Sequence, residues 1–365
     1  STALPEQAVR SVIESAFQSA GQRCSALRCL YVQHDIAPAF TEMLMGAMDA
    51  LSIGAPWALS TDVGPVIDAD ARAGIAAHIA TARAAARVLH QLNTPDRGTF
   101  VAPTLIKVDG IGDLKAEVFG PVLHIATFKS HELDKVIDDI NASGYGLTFG
   151  LHTRIDDRVQ HVSDRIAAGN VYVNRNQIGA IVGSQHFGGI GLSGTGPKAG
   201  GPDYLLRFRA PHLARSDGNW NGAAPMPTLP RAPISHAPGV PLPGPTGESN
   251  VLSQCPRPAI LCAGPGAEAA ASQVAAITAL GGQAVPANGA LDPDALPHGP
   301  QYGGVLWWGD AKTGAQMAQA LSRRDGPIVP VITQQPDRAH ATVERHICVD
   351  TTASGGNAAL LGAAS

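Results

Sequence analysis

Cys24 sits in Ser19-Ala-Gly-Gln-Arg-Cys-Ser25, just past a helical segment and on a turn marked by Gly21. A thiol placed there is accessible, and it becomes a nucleophile once ionised. The preceding helix turns its negative end toward the turn. A thiolate therefore needs help from backbone N–H groups, a base or the charge of a bound cofactor. Taken alone, a free cysteine is more often buried and inert. Glu117-Val-Phe-Gly-Pro121 sets a carboxylate and an aromatic ring on a tight turn before a strand-like run. Taken alone it reads as a surface acid with a packing Phe. Phe187-Gly-Gly-Ile-Gly-Leu-Ser-Gly-Thr-Gly196 is glycine-dense, and such a loop lets N–H groups converge on an anion. Many flexible loops share that composition.

The elements that must position these stretches follow from periodicity. Val9, Val12, Ile13, Ala16 and Phe17 recur at three-and-four spacing, which predicts a helix over Gln7 to Ala20, with Pro5 and Glu6 in its first turn and Gly21 as its stop. Leu27 to Val32 reads as a strand and Ile36 to Leu51 as a helix. Asp68 to Gln91 is Ala-rich and reads as helix throughout. Strands are expected at Thr99 to Val108, Val122 to Phe128, Leu147 to His152 and Asn170 to Asn174, with helices at Glu132 to Asn141 and Arg158 to Ile166. Strands alternating with helices of this length predict a parallel α/β sheet.

Composition changes after Arg215. Ten of the 28 prolines fall between Pro225 and Pro258, so residues 216–257 read as a Pro/Gly-rich linker. Alternation then returns: strands at Ala259 to Ala263, Gly304 to Trp308 and Ile328 to Ile332, helices at Ala267 to Leu280 and Ala311 to Arg323. Four parts are expected: a first α/β domain over 1–215, the linker, a smaller Rossmann-like α/β unit over 258–345 and an interaction tail over 346–365. Gly264-Pro-Gly266 continues as G-x-G-x-x-A through Ala269, a weak dinucleotide signal. No acid stands near the ribose-binding position, where Gln283 and Ala284 lie, and Pro265 removes a backbone donor. The second unit is expected to bind no nucleotide.

Net charge is -4, and 15% of the 365 residues are charged, with no basic cluster of the kind nucleic acid needs. No apolar run approaches a membrane span. Five scattered cysteines argue against a secreted disulfide framework and for a reducing, cytoplasmic setting. They contain no C-x-x-C pair, and the 13 histidines contain no H-E-x-x-H, so no metal is expected. The chain opens on Ser1 and runs almost at once into a helix, so it is expected to be a piece of a longer protein.

In this order and spacing, Gln22-Arg23-Cys24, Glu117-Val-Phe-Gly-Pro121 and Phe187-Gly-Gly189 resemble the nucleophile, cofactor and loop motifs of the aldehyde dehydrogenase superfamily. Longer strings narrow the resemblance: Ser15 to Arg28, Asn141-Ala-Ser-Gly-Tyr-Gly-Leu147, Val171-Tyr-Val-Asn-Arg-Asn176 and Gly191 to Pro202 are similar to the dehydrogenase domain of the proline utilization A family. The similarity is dense from Ser1 to Phe208. The second unit resembles the extra carboxy-terminal domain of that family's longer forms, as does the tail Cys348 to Asn357.

The resemblance implies an α/β fold, with an aldehyde dehydrogenase catalytic domain followed by a smaller Rossmann-like one. It implies NAD-dependent oxidation of L-glutamate γ-semialdehyde to glutamate. Cys24 would attack the aldehyde as a thiolate, the hemithioacetal would lose hydride to the nicotinamide, and water would hydrolyse the thioester, with the Cys24 N–H helping to hold the oxyanion. Glu117 would bind the nicotinamide ribose and Phe119 would flank the nicotinamide. Ser25 with the Ser193 and Gly194 backbone would hold the substrate carboxylate. By the same resemblance, the cofactor domain, an oxyanion Asn, the hydrolytic Glu and an FAD-dependent proline dehydrogenase would precede Ser1. The expected partner is then that amino-terminal part, with a homo-oligomer open, and this chain alone would neither bind NAD tightly nor turn over. The family's usual Pro before Phe-Gly-Gly is His186 here. Two other readings stand beside this one. The chain is a silent docking module or tunnel cover, or it is a cysteine hydrolase or acyltransferase using His34 or His186.

Overall fold

The computed structural model describes residues 1–230 and 239–352. Helix α1 (Pro5–Phe17) starts on a proline, whose missing N–H is one of the donors a first turn leaves unpaired anyway. It buries Val9, Val12, Ala16 and Phe17. The chain then passes a tight turn into strand β1 (Cys29–Gln33) and helix α2 (Ala37–Asp49), whose Phe40, Leu44 and Met48 join the same core. Helix α3 (Ala69–Ala84) is capped by Asp68, whose carboxylate accepts the Ala71 N–H at 2.8 Å.

The Ala-rich run expected to stay helical to Gln91 stops at Ala84. Ala86 turns into the left-handed region, and Val88–Gln91 forms strand β2, antiparallel to β3 (Thr104–Lys107). Sheet pairing outweighs alanine's helix preference there, and Arg87 is tied to Asp109 and Asp113 across the turn. Strand β4 (Val122–Phe128) completes a sheet in the order β1-β4-β3-β2, parallel except for β2. Val122 to Ala126 are all buried, as suits a parallel strand covered on both faces.

Helix α4 (Leu133–Ala142), the short β5 (Tyr145–Gly146), β6 (Thr148–Leu151), helix α5 (Asp156–Arg165), β7 (Asn170–Val173) and the short β8 (Ile190–Gly191) follow. β5 and β8 pair antiparallel. β6 and β7 are parallel, but their sheet continues with strands from much later in the chain. Its order is β6-β7-β15-β10-β9, where β9 is Val240–Leu242, β10 Glu248–Pro256 and β15 Thr342–Asp350.

Two stretches differ from the linker and tail read from composition. Glu248–Pro256, placed in the linker, is a nine-residue strand paired along its whole length with β15. Residues 346–350, placed in the tail, complete β15 beside β7. Eight prolines from Pro225 to Pro245, with Pro256 at its far end, masked a strand whose middle contains Val251 and Leu252. Residues 231–238 and the tail beyond Thr352 lie outside the described residues.

The smaller unit consists of β11 (Ile260–Cys262), helix α6 (Gly266–Ala279), β12 (Ala284–Pro286), β13 (Gly304–Leu306), helix α7 (Ala311–Leu321), β14 (Val331–Ile332) and the short α8 (Arg338–Ala341). Its four strands are parallel in the order β12-β11-β13-β14, a doubly wound arrangement. No helix of the described residues is long and apolar enough to cross a membrane.

Candidate active site

The turn after α1 exposes Cys24. Ser19, Ala20 and Gly21 all take left-handed backbone angles, so the chain reverses within three residues. Gly21 also meets the Glu117–Pro121 turn: a Cβ at Gly21 would lie 2.1 Å from the Gly120 carbonyl oxygen. Only glycine lets these two turns, nearly a hundred residues apart in sequence, touch.

Arg28 fastens them together. Its guanidinium donates to the carbonyls of Gly21 at 2.7 Å, Arg23 at 3.2 Å and Gly120 at 3.3 Å, and to the Glu117 carboxylate at 3.0 Å. It also lies over the Phe119 ring, 4.9 Å from the centroid. Burial draws the Arg28 pKa down, and the charges of Glu117 and Cys24 oppose that shift. A fixed cation thus stands in the wall of the cleft that Cys24 also lines. Arg28 was not singled out in the sequence, although its position four residues after Cys24 was a usable signal.

Cys24, Glu117 and Ser193 line one cleft of about 1180 Å³. Its walls come from β1 and β6, the facing edges of two sheets, and from α1 and α4. Phe119 is 43% exposed beside it. Ser193 Oγ accepts the Gly146 N–H at 3.0 Å, which leaves its own O–H free to donate. The Ser193 N–H is already donated to the Ile190 carbonyl at 3.0 Å, so the hydroxyl and the Gly194 N–H are the donors that this pair offers.

Ser25 departs from expectation. It is 4% exposed and does not line the cleft, because Gln177 Nε2 at 3.2 Å and Thr148 Oγ1 at 3.5 Å draw its carbonyl inward. The histidines of the hydrolase reading do not reach the cleft either. His34 pairs loosely with its neighbour Asp35, and His186 is buried against Glu344. Among the described residues no group of three or more His, Cys, Asp or Glu could hold a metal ion.

An exposed carboxylate beside an exposed ring suits the diol and flat base of a nicotinamide riboside, so the Glu117–Phe119 turn fits that end of NAD. The turn Gly264-Pro265-Gly266 does not. Asn219 packs on Gly266, with its N and O both 3.2 Å from where a Cβ would stand, and Trp220 Nε1 donates to the Ala263 carbonyl at 3.0 Å. The segment Ser216–Trp220 therefore fills the mouth where a phosphate would enter.

The model of the Aldehyde dehydrogenase family matches residues 2–211, and the chain belongs to that family. More particularly, it is similar to the "Bifunctional protein PutA" of Salmonella typhimurium, 40% identical over 99% of this chain and 32% of that protein. The chain thus spans about a third of the length of the curated relatives it matches. Among solved structures it is similar to bifunctional proline utilization A (PutA), with 53% identity and a TM-score of 0.56 over 57% of this chain and 21% of that one. It is also similar to a 1-pyrroline-5-carboxylate dehydrogenase from Thermus with bound NAD, with 31% identity and a TM-score of 0.53 over 57% of this chain and 40% of that one.

Proposed function

We propose that this chain is the nucleophile-bearing part of an NAD-dependent L-glutamate γ-semialdehyde dehydrogenase that completes the conversion of proline to glutamate. The observation that carries the reading is one cleft with an exposed Cys24 thiol, an Arg28-clamped Glu117 and the Ser193 hydroxyl on its walls. Names of relatives that span both proline utilization and 1-pyrroline-5-carboxylate dehydrogenase support it.

Bound NAD supplies the hydride acceptor. This chain's residues supply the nucleophile and grip parts of both substrates. Arg28 holds the Glu117 carboxylate for the ribose hydroxyls and keeps Phe119 at the nicotinamide's flank. The Cys24 thiolate attacks the aldehyde carbon to form a hemithioacetal. Its backbone N–H donates to the oxyanion. Loss of hydride leaves a thioester on Cys24, which water cleaves to release glutamate. The Ser193 hydroxyl and the Gly194 N–H grip the substrate carboxylate, and Ser25 backs the wall behind Cys24. The general base, the remaining oxyanion donor, the bulk of the cofactor site and the FAD-dependent step belong to the rest of the protein, in a cytoplasmic setting, so this chain alone is inactive.

The test is NADH formation from the semialdehyde by the full-length protein. Cys24→Ser is expected to lower it by at least about a thousand-fold while proline oxidation persists. A Cys24→Ser enzyme with normal NADH formation would point instead to a docking or tunnel-covering module.

A further inference from the structure

The loop that carries Ser193 is held from outside the family domain. Its two ends, His186 and Lys198, are joined by a bridge between Phe187 and Ala199. Both ends bond to one carboxylate. His186 Nδ1 donates to Glu344 Oε1 at 2.7 Å, and the Lys198 backbone N–H donates to Glu344 Oε2 at 3.1 Å. Glu344 lies on β15, beyond residue 211 where the family match ends. The His186 and Glu344 side chains are each only 5% exposed, so the pair is dry and its geometry narrow.

The loop floor is built on the same cluster. Lys198 Nζ, drawn down to about 7 by burial, donates to the Gly169 carbonyl and, at 2.8 Å, to Asn170 Oδ1. Asn170 in turn donates to the His186 carbonyl at 2.8 Å and accepts the Gly188 N–H at 3.2 Å. Arg257, just past the end of β10, donates to the Thr195 carbonyl beside the anchor. The loop interior has no slack, because a Cβ at Gly189 would come within 2.4 Å of the Ser193 Cβ. A shift at either loop end is therefore transmitted to Ser193.

We propose that Glu344 is a positioning residue for substrate: by clamping His186 and Lys198, β15 sets the Ser193–Gly194 anchor and with it the enzyme's grip on the aldehyde's carboxylate. This rests on the reading above that Ser193 and Gly194 hold that carboxylate. It also gives a physical reason for a histidine at position 186. A proline there would present no side-chain donor to a carboxylate arriving from the second unit.

The test compares full-length Glu344→Ala, Glu344→Gln and Ser193→Ala enzymes with glutamate semialdehyde and with propanal, an aldehyde without a carboxylate. Glu344→Ala is expected to raise the KM for the semialdehyde about ten-fold. The KM for NAD and kcat/KM for propanal are expected to stay within about two-fold. Glu344→Gln, nearly the same shape and able to accept one of the two N–H donors, is expected to recover part of the loss. It carries the test alone if the alanine variant does not fold. A semialdehyde KM unchanged in Glu344→Gln and Glu344→Ala but raised in Ser193→Ala overturns the role of Glu344 and leaves the anchor standing. No change in any of the three overturns the anchor itself. Equal losses with both aldehydes reduce Glu344 to a structural residue and likewise overturn the proposal.

Discussion

Two glycine turns in this molecule began with similar credentials, and their surroundings separated them. At Gly21 the turn is open: Cys24 is exposed, and Arg28, Glu117 and Phe119 converge on it. At Gly264–Gly266 the turn is closed by Asn219 and Trp220, and the cysteine of its strand, Cys262, is fully buried, with burial pushing its thiol up to about 12. Both turns sit in α/β layers. What divides the two turns is access and a charged neighbour, not the glycine pattern.

The hardest way to break the open turn is to fill it. Gly21→Ala places a methyl group against the Gly120 carbonyl at a left-handed angle and is expected to cost on the order of 3 kcal/mol, read as a lower unfolding midpoint in urea. An unchanged midpoint would mean that the two turns do not touch. Arg28→Met keeps much of the apolar packing but removes the clamp. It is expected to lower kcat/KM for NAD about thirty-fold in the full-length protein, about 2 kcal/mol. A normal value would leave Glu117 independent of Arg28.

Acid should also weaken the open region. His124 is buried beneath it, with Nδ1 bonded to the Arg28 carbonyl at 2.9 Å, and burial depresses its pKa to about 4. The unfolded chain binds this proton at a higher pH than the folded chain does. Stability is therefore full above about 6.5 and falls as pH drops toward 4, by on the order of 3 kcal/mol. Melting midpoints across that window are expected to show the slope, and His124→Gln to make it shallower, with buried His152 and His346 carrying the remainder.

The smallest effect belongs to the closed turn. Trp220→Ala removes one hydrogen bond and part of a packing surface and is expected to cost about 1 kcal/mol. Calorimetry is expected to show no gain of NAD binding, since Pro265 offers no N–H. A gain would mean that Trp220 alone closes the site.

Periodicity made three of the four strands of the first sheet legible, and the smaller unit apart from β12, and the motif strings pointed to Cys24, Glu117 and Ser193, which line one cleft. What stayed hidden depended on distant partners. Arg28 acquires its role from Glu117, 89 residues away. Ser25 is drawn inward by Thr148 and Gln177, which no local pattern announces. Strand β15 was obscured because Glu344, Arg345 and His346 are residue types that usually face solvent, yet all three are buried. Their burial makes sense only beside β7, His186 and Lys198, more than a hundred residues upstream. The Ala-rich stretch beyond Ala84 misled for the converse reason, since a strong local preference yielded to pairing with β3.

The most direct measurement is titration of the native full-length protein with iodoacetamide near neutral pH, following peptide masses and NADH formation together. One equivalent on Cys24, with loss of NADH formation in proportion and with Cys262 and Cys348 unmodified, is the expected result. Complete alkylation of Cys24 with NADH formation undiminished would contradict it.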